Sequence, residues 1–422
     1  MKEKYLIMVE GCDNHNKFYR MVPNDDGCTW TAVYGRVGTN GVKRSYHMSQ
    51  WDSKYDEKVR KGYKDMTNFH MVAGNSTISS QFDPIPDAVI RKVVDNLLKW
   101  ADEVIKGNYT VSAESVNKDA IRNAQKLINS LSDIYTTSCN KNGIADTTVY
   151  RFNRVLEELF VRIPRRMSDV DEFKAKTVRD FKEIIEREQR LLDVMSSRVN
   201  SFTGDDDDDN ASAATSTNGK TILDAVGLEI RRCDDKEKNM IKSHLDADTQ
   251  RLFKDCYHVV NKRTREKFDN YVKTNKIKNV RYYYHGSRNE NYWSILKQGL
   301  KLRPSQRVTR AGAMFGYGLY FAPKAKKSCG YTSLPFAYWS NRTGSNQGSN
   351  HTAMLTVFKV AMGKKYDLQA YSPIVSKWNE KDCKKAGYDS VYAHAGVSLQ
   401  NDEAIVYNED ACTISYLIEL CA

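Results

Sequence analysis

Residues 282–300 read "YYYHGSRNENYWSILKQGL". Three consecutive tyrosines suit an extended strand, where aromatic side chains pack well on a pleated surface. After "HGSRNEN" the pattern changes to a helix, "NENYWSILKQGL". Asn289 or Asn291 is placed to cap its start, and Gly299 suits its C-terminal end. The unit is a strand that delivers His285 to a strand-to-helix turn. Taken alone, that histidine fits the end of a packed strand as readily as a binding site.

The neighbouring segments give the class of the domain around it. Between 221 and 422, short β-like runs dominate: "GLEIRRC", "CYHVVNK", "NVRYYYHG", "GLYFAP", "HTAMLTVFKVAMG", "DEAIVY" and "TISYLIEL". Such runs with one clear helix predict a mixed domain with an antiparallel sheet over 221–422. Upstream stands "SFTGDDDDDNASAATSTNGK", residues 201–220. Like charges repel and small polar side chains form no core, so this reads as an acidic flexible linker.

Residues 84–200 read as helices. Ile90, Val93, Val94, Leu97, Leu98, Ala101, Val104 and Ile105 follow the i, i+3, i+4, i+7 rule. The same spacing recurs at Ile121, Ala124, Leu127, Ile128 and Leu131, and at Phe152, Val155, Leu156, Leu159 and Phe160, closed by Pro164. A last stripe runs through Val178, Phe181, Ile185 and Leu192, and such faces pack economically as a helical bundle. Residues 1–80 read as a small α+β domain: "KYLIMVE", "KFYRMV", "WTAVYGRVG" and "KRSYHMS" as strands separated by turns, then one helix from Trp51 to Met66. The chain is therefore expected to be multidomain α+β.

Composition narrows the function classes. No apolar run reaches the ~18–20 residues that span a bilayer, so a protein with no membrane partner, located inside the cell, is expected. The nine cysteines are scattered and form no C-x-x-C pair, which argues against a disulfide framework and predicts no metal site. A net charge of +12 favours an anionic partner such as nucleic acid.

Further parts stand near His285 in the sequence. "AGAMFGYGLYFAPKAKKSCGYTS" supplies Gly312, Gly316 and Gly318 for tight turns, then Tyr320, then Ser328 and Tyr331 as S-x-x-Y. Near the C-terminus "NDEAIVY" places Glu403 at the head of a β-branched run. His-Gly-Ser-Arg, Gly-x-Tyr-Phe-Ala, Lys-Ser-x-x-Tyr and a glutamate before Ile-Val-Tyr resemble the poly(ADP-ribose) polymerases, diphtheria-toxin-like ADP-ribosyltransferases with a His-Tyr-Glu triad. Residues 1–75, with "NKFYRMV" and "VYGRVGTNG", resemble that family's WGR domain. The helices, including "RFNRVLEELFVRIPRRM", resemble its regulatory helical domain. The order is that of the DNA-dependent branch.

The resemblance implies domains at 1–80 (WGR), 84–200 (regulatory helical) and 221–422 (catalytic ADP-ribosyltransferase). It implies NAD+ as substrate with no permanently bound cofactor. Glu403 would stabilise positive charge growing on the ribose. His285 would hold the adenosine ribose, and Gly286 and Ser328 would clamp the nicotinamide amide. Tyr331 and Tyr320 would sandwich its ring. Ser287, Asn291 and Lys301 would line the adenosine side, and Met314 matches an elongation-site methionine. In the WGR domain the signature tryptophan is Tyr34, followed by Gly35 and Arg36. Arg36 would link DNA binding to the helical domain, and Lys43 and Arg44 are phosphate-binding candidates. Expected partners are DNA ends or nicks, acceptor proteins and the chain itself, in the nucleus if the source is eukaryotic.

Some residues depart from the family pattern. Lys301 stands where many members carry arginine. Tyr317 stands where polymerising members often carry lysine, and the loop "KAGYDSVYAHAGVSLQ" before Glu403 is short for this branch. These keep a mono-ADP-ribosyltransferase open beside a DNA-activated polymerase, with a catalytically weak DNA-end-binding scaffold as a third reading. Glu403 is chosen over Asp402 by its spacing to Ile405, and Glu409 is read as a surface residue. Ser201, Ser212 and Ser216 in the linker are candidate automodification sites.

Overall fold

The computed structural model describes residues 2–10, 14–67, 82–139, 146–199, 219–302, 314–337 and 351–422. Gly312 and the linker candidates Ser201, Ser212 and Ser216 lie outside them. The chain divides into two units. One holds residues up to 78 and 102–199, and the other holds 79–101 and nearly all of 200–422.

In the first unit, β1 (Lys4–Glu10), β2 (His15–Pro23), β3 (Thr29–Arg36) and β4 (Val42–His47) form an antiparallel meander. Alternation along the strands sends Leu6, Tyr19, Met21, Trp30 and Ala32 to one core, which Trp51 of α1 (Trp51–Arg60) closes. The predicted helix from Trp51 to Met66 is too long. It stops at Arg60, because Gly62 adopts φ +91° and turns the chain. Lys64–Asp65 then forms β5, pairing with Leu6 and Ile7 at the sheet edge. Met66 is buried by this turn and not by a helical face, while Val59 stays exposed.

Four helices follow: α2 (Ala88–Asn108), α3 (Lys118–Cys139), α4 (Asp146–Arg162) and α5 (Phe181–Val199). The predicted stripes are buried in α3 and α4 at Ala124, Ile128, Leu131, Phe152, Leu156 and Phe160. Phe152 stacks on Phe181 with ring centroids 3.8 Å apart, which ties α4 to α5. Gln125 and Gln189 exchange amide hydrogen bonds of 2.8 Å between α3 and α5. The buried Arg165 faces the buried Glu188 at 3.6 Å. Helix α2 is shared. Its last residues belong to this unit, where Asp102 takes two hydrogen bonds from Arg198.

In the second unit, the first half of α2 packs Ile90, Val93, Val94 and Leu97 into one apolar cluster with Tyr257, Trp293, Phe358 and Leu417. That cluster lies on a five-stranded antiparallel sheet, ordered β6-β7-β14-β10-β8. Its strands are β6 (Leu228–Arg232), β7 (Phe253–Asn261), β8 (Val280–Gly286), β10 (Thr352–Ala361) and β14 (Cys412–Cys421). A second sheet orders β11 (Lys365–Leu368), β12 (Ser390–Ala393), β13 (Glu403–Val406) and β9 (Leu319–Phe321), with β11 and β12 parallel. The mixed α+β class with mainly antiparallel sheets agrees with the sequence reading.

Several elements were not predicted. Helix α6 (Asp235–Ser243) starts on a capping box between Asp234 and Glu237. Helix α7 (Lys262–Thr274) starts where the Asn261 side chain accepts from the Thr264 amide. Strand β12 occupies part of the stretch read as a loop before Glu403. Helix α8 (Tyr292–Gln298) does end at Gly299, at φ +76°, but neither asparagine caps it. Asn289 bonds to Thr352 and Met354 of β10, and Asn291 donates to Ser287 Oγ.

Among the described residues no helix is long and apolar enough to cross a membrane. The Phe152–Phe181 stack should be the main link between α4 and α5. Phe152→Ala is expected to cost about 3–5 kcal/mol, read as a lower midpoint in chemical denaturation followed by circular dichroism.

Candidate functional site

The site is assembled at the ends of three strands that meet edge to edge. β8 carries His285, β9 carries Tyr320 and β13 carries Glu403. Strand β13 pairs antiparallel with β9, setting Ile405 opposite Tyr320. A bridge between Tyr284 and Ala322 joins β9 to β8. These pairings gather residues that lie more than a hundred positions apart in sequence.

Each side chain is held by its surroundings. The His285 ring donates from Nδ1 to the Tyr320 carbonyl at 3.0 Å, which fixes a proton on that nitrogen. Its edges meet Phe321 and Phe358. The Tyr320 hydroxyl donates to the Gly316 carbonyl at 2.7 Å and accepts from the Phe315 amide at 3.1 Å. The phenol thus orders the Phe315–Gly318 turn. Gly316 is at φ +92°, and a Cβ there would lie 2.5 Å from the Trp378 carbonyl.

Gly286 has the tightest position. A Cβ built on it would stand 1.8 Å from the Ser328 carbonyl oxygen. Only glycine lets β8 approach the short helix α9 (Ala325–Cys329) this closely. Ser328 is buried beside it, and Tyr331 follows in the next turn, its amide bonding the Ser328 carbonyl while its side chain stays largely exposed. Ser287 is fixed by the Tyr292 hydroxyl, which accepts from its amide at 3.0 Å.

Glu403 is buried, and its environment is polarised. Lys327, one residue before Ser328, donates to Glu403 Oε1. Oε2 is buried with no hydrogen-bond partner among the described residues. Burial raises the Glu403 carboxyl above its ordinary value, and the Lys327 ammonium opposes that rise. Sequence reasoning assigned no role to Lys327. The quoted Lys-Ser-x-x-Tyr motif contained it, but a lysine in "KAKKSC" carries no signal of its own partner. The adjacent Asp402 is engaged differently, accepting from the Tyr392 hydroxyl at 2.8 Å and the Ala395 amide at 2.7 Å. It ties down the loop ahead of Glu403.

Lys301 is paired with Glu409 at 3.2 Å, and Glu409 also accepts from the Leu302 amide at 2.7 Å. Glu409, expected as a plain surface residue, is a half-buried anchor of the chain after α8. Met314 is partly buried against the core that includes Phe315 and Ile405. In the other unit Tyr34 stacks on Tyr19 at 5.7 Å. Gly35 packs against Gly41, where a Cβ would meet Gly41 Cα at 3.0 Å. Arg36 donates to Asn14 and, at 2.6 Å, to the Ser168 carbonyl beyond α4. Lys43 and Arg44 are exposed on β4.

Among the described residues no group of three or more His, Cys, Asp or Glu could hold a metal ion. The arrangement is a buried carboxylate with one oxygen committed to a cation and the other uncommitted, beside a fixed imidazole and a close main-chain approach.

Residues 236–422 match the family model of the poly(ADP-ribose) polymerase catalytic domain, and residues 3–70 match that of the WGR domain. The chain is 32% identical over 190 residues to a putative poly [ADP-ribose] polymerase-like protein, 100L, of Invertebrate iridescent virus 6, covering 44% of this chain and 96% of that one. It is 30% identical over 194 residues to the uncharacterized protein 101L of the same virus, covering 46% of this chain and 76% of that one. Poly [ADP-ribose] polymerase 1 of Gallus gallus is 22% identical over 461 residues, covering 95% of this chain and 42% of that one.

Gly286→Ala must push β8 and α9 apart. Overpacking of this kind costs about 1–3 kcal/mol, and the variant should show that loss in denaturant unfolding, whereas Gly387→Ala, with open space around its Cβ position, should lose only the smaller cost of its φ of +83°.

Proposed function

The chain belongs to the poly(ADP-ribose) polymerase family and is an NAD+ ADP-ribosyltransferase, and from that premise we propose that it extends polymer and that DNA breaks switch it on. The observation that carries the site assignment is the uncommitted Glu403 Oε2. Cleaving the nicotinamide–ribose bond builds positive charge on the sugar. A buried carboxylate already in place stabilises that charge without reorganising. Its free oxygen accepts from a ribose hydroxyl, while Lys327 holds the other oxygen and opposes the rise that burial imposes on the carboxyl.

The remaining residues position the substrate. Gly286 and Ser328 offer main-chain and hydroxyl groups to the nicotinamide amide, and Tyr320 and Tyr331 face its ring. His285, with its Nδ1 proton given to the Tyr320 carbonyl, orients the adenosine ribose with Ser287 and Asn291 nearby. It acts by position and not as a base. Lys301 serves the adenosine side only by leaving Glu409, so its contribution there is small. Met314 receives the growing chain.

DNA activation rests on Arg36. Its guanidinium spans from Asn14 in the strand domain to the Ser168 carbonyl in the helical segment. A DNA end bound by Tyr34, Lys43 and Arg44 would act on the helices through that contact. We keep domain limits of 1–80 for WGR, 84–200 for the helical part and 221–422 for the catalytic part, with residues 84–101 of the helical part lying in the second compact unit. A mono-transferase remains the second reading, favoured by Tyr317 in place of lysine.

Labelled NAD+ incubated with the chain should give a ladder on a gel, stronger with nicked or blunt DNA than without. A single band would mean the mono-transferase, and equal activity without DNA would sink the activation claim. Glu403→Gln should lower kcat on the order of 10²–10³-fold. Because the reaction needs the ionised carboxylate and its pKa is raised, activity should fall on acidification at a higher pH than for an ordinary glutamate. Lys327→Met removes the opposing cation, so it should move that acid limb to still higher pH in a pH–kcat profile.

A further inference from the structure

The net charge of the chain is placed unevenly. Residues 221–422 hold 32 of the lysines and arginines against 20 carboxylates, and residues 1–220 hold 33 of each. The excess of 12 is therefore that of the catalytic segment, while residues 1–80 carry 12 basic side chains against 9 acidic ones. Within it, residues 262–281 carry eight basic side chains and only two acidic ones.

The fold gathers part of this charge onto one surface. The chain after α7 is fastened to the β10–β11 turn, since the Met362 and Gly363 amides both donate to the Asn279 carbonyl. That turn is fastened in its own right to the short helix α10 (Glu380–Lys385). Asp389 accepts from the Lys364 amide at 2.7 Å and from Lys384 Nζ at 2.5 Å. Lys273, Lys276, Lys278, Lys364, Lys384 and Lys385 are all exposed around these joints. Two tyrosine rings lie among them. Lys384 stands 6.0 Å from the Tyr271 ring centroid and Lys364 stands 4.9 Å from that of Tyr388.

We propose that this surface of the catalytic unit binds single-stranded nucleic acid. Lysines act as point charges that follow a phosphate backbone, and aromatic rings between them accept bases of any sequence. Lysines dominate this cluster, and the guanidinium at the joint, Arg281, already has its Nε on the Asn279 side chain at 3.0 Å, so recognition rests on point charges and rings and tolerates sequence. Both rings are half-buried, and an unpaired base, which a duplex does not offer, can stack on such a ring. The proposal does not depend on whether the enzyme makes polymer.

The test uses the full chain and fluorescein-labelled oligo(dT), with anisotropy read over a range of salt. The triple variant Lys276→Gln, Lys278→Gln, Lys385→Gln should bind more weakly and lower the slope of log K against log salt by about 2, at ~0.7 per phosphate contact. Tyr388→Leu should weaken binding and leave the slope unchanged. The pair Lys43→Gln, Arg44→Gln should leave oligo(dT) binding intact. Basal NAD+ turnover without nucleic acid and the melting temperature should be unchanged in the triple variant. An unaltered slope in that variant overturns the proposal. So does an equal loss on a blunt duplex, or a loss seen only with poly(ADP-ribose).

Discussion

A carboxylate kept out of water must be given a cation, or it takes up a proton. Glu403 sets that requirement for the whole catalytic unit. Lys327 meets it, so α9 has to lie beside the strand that carries Glu403. Placing α9 there brings the Ser328 main chain against β8, and only Gly286 leaves room for it. The same approach aligns His285 with the Tyr320 carbonyl across the gap between the two sheets. Once the ion pair is fixed, most of the site geometry follows from it.

Parts of this were legible in the sequence. The stripes of α3 and α4 are legible because their apolar faces keep the i, i+3, i+4 spacing over about two to three turns. The strands β8, β10 and β14 are legible through dense aromatic and β-branched runs. Helix α7 was hidden because its buried face reduces to Phe268, Tyr271 and Val272 amid charge. Strand β12 was hidden because "SVYA" is short and sits among glycines and a histidine. Helix α1 was read too far because Tyr63 and Met66 continue its spacing by chance, while Gly62 ends it. These are cases where one backbone torsion or a short pairing outweighs periodicity.

The site was legible in outline only. Glu403, Tyr320 and His285 follow from the resemblance of their motifs, in order, to a known family, and they lie on three adjacent strands, β13, β9 and β8. The partners that tune them were not legible. Lys327 meets Glu403 across 76 residues, and Glu409 meets Lys301 across 108. Long-range pairs of ordinary charged residues leave no local pattern. The asparagines near α8 show the converse. Their sequence position suits helix capping, yet tertiary partners on β10 and at Ser287 claim their side chains.

Arg36 reaches a main-chain oxygen at Ser168 and not a side chain. Every amino acid supplies that carbonyl, so position 168 is free to drift while the contact survives. Two residues joined in this way do not change together over evolutionary time. Methods that infer contacts from correlated substitution will therefore be blind to this joint, however strongly it couples the two parts. The link between the strand domain and the helices would show in such data as an arginine with no counterpart among the helices, and only coordinates disclose what it holds there.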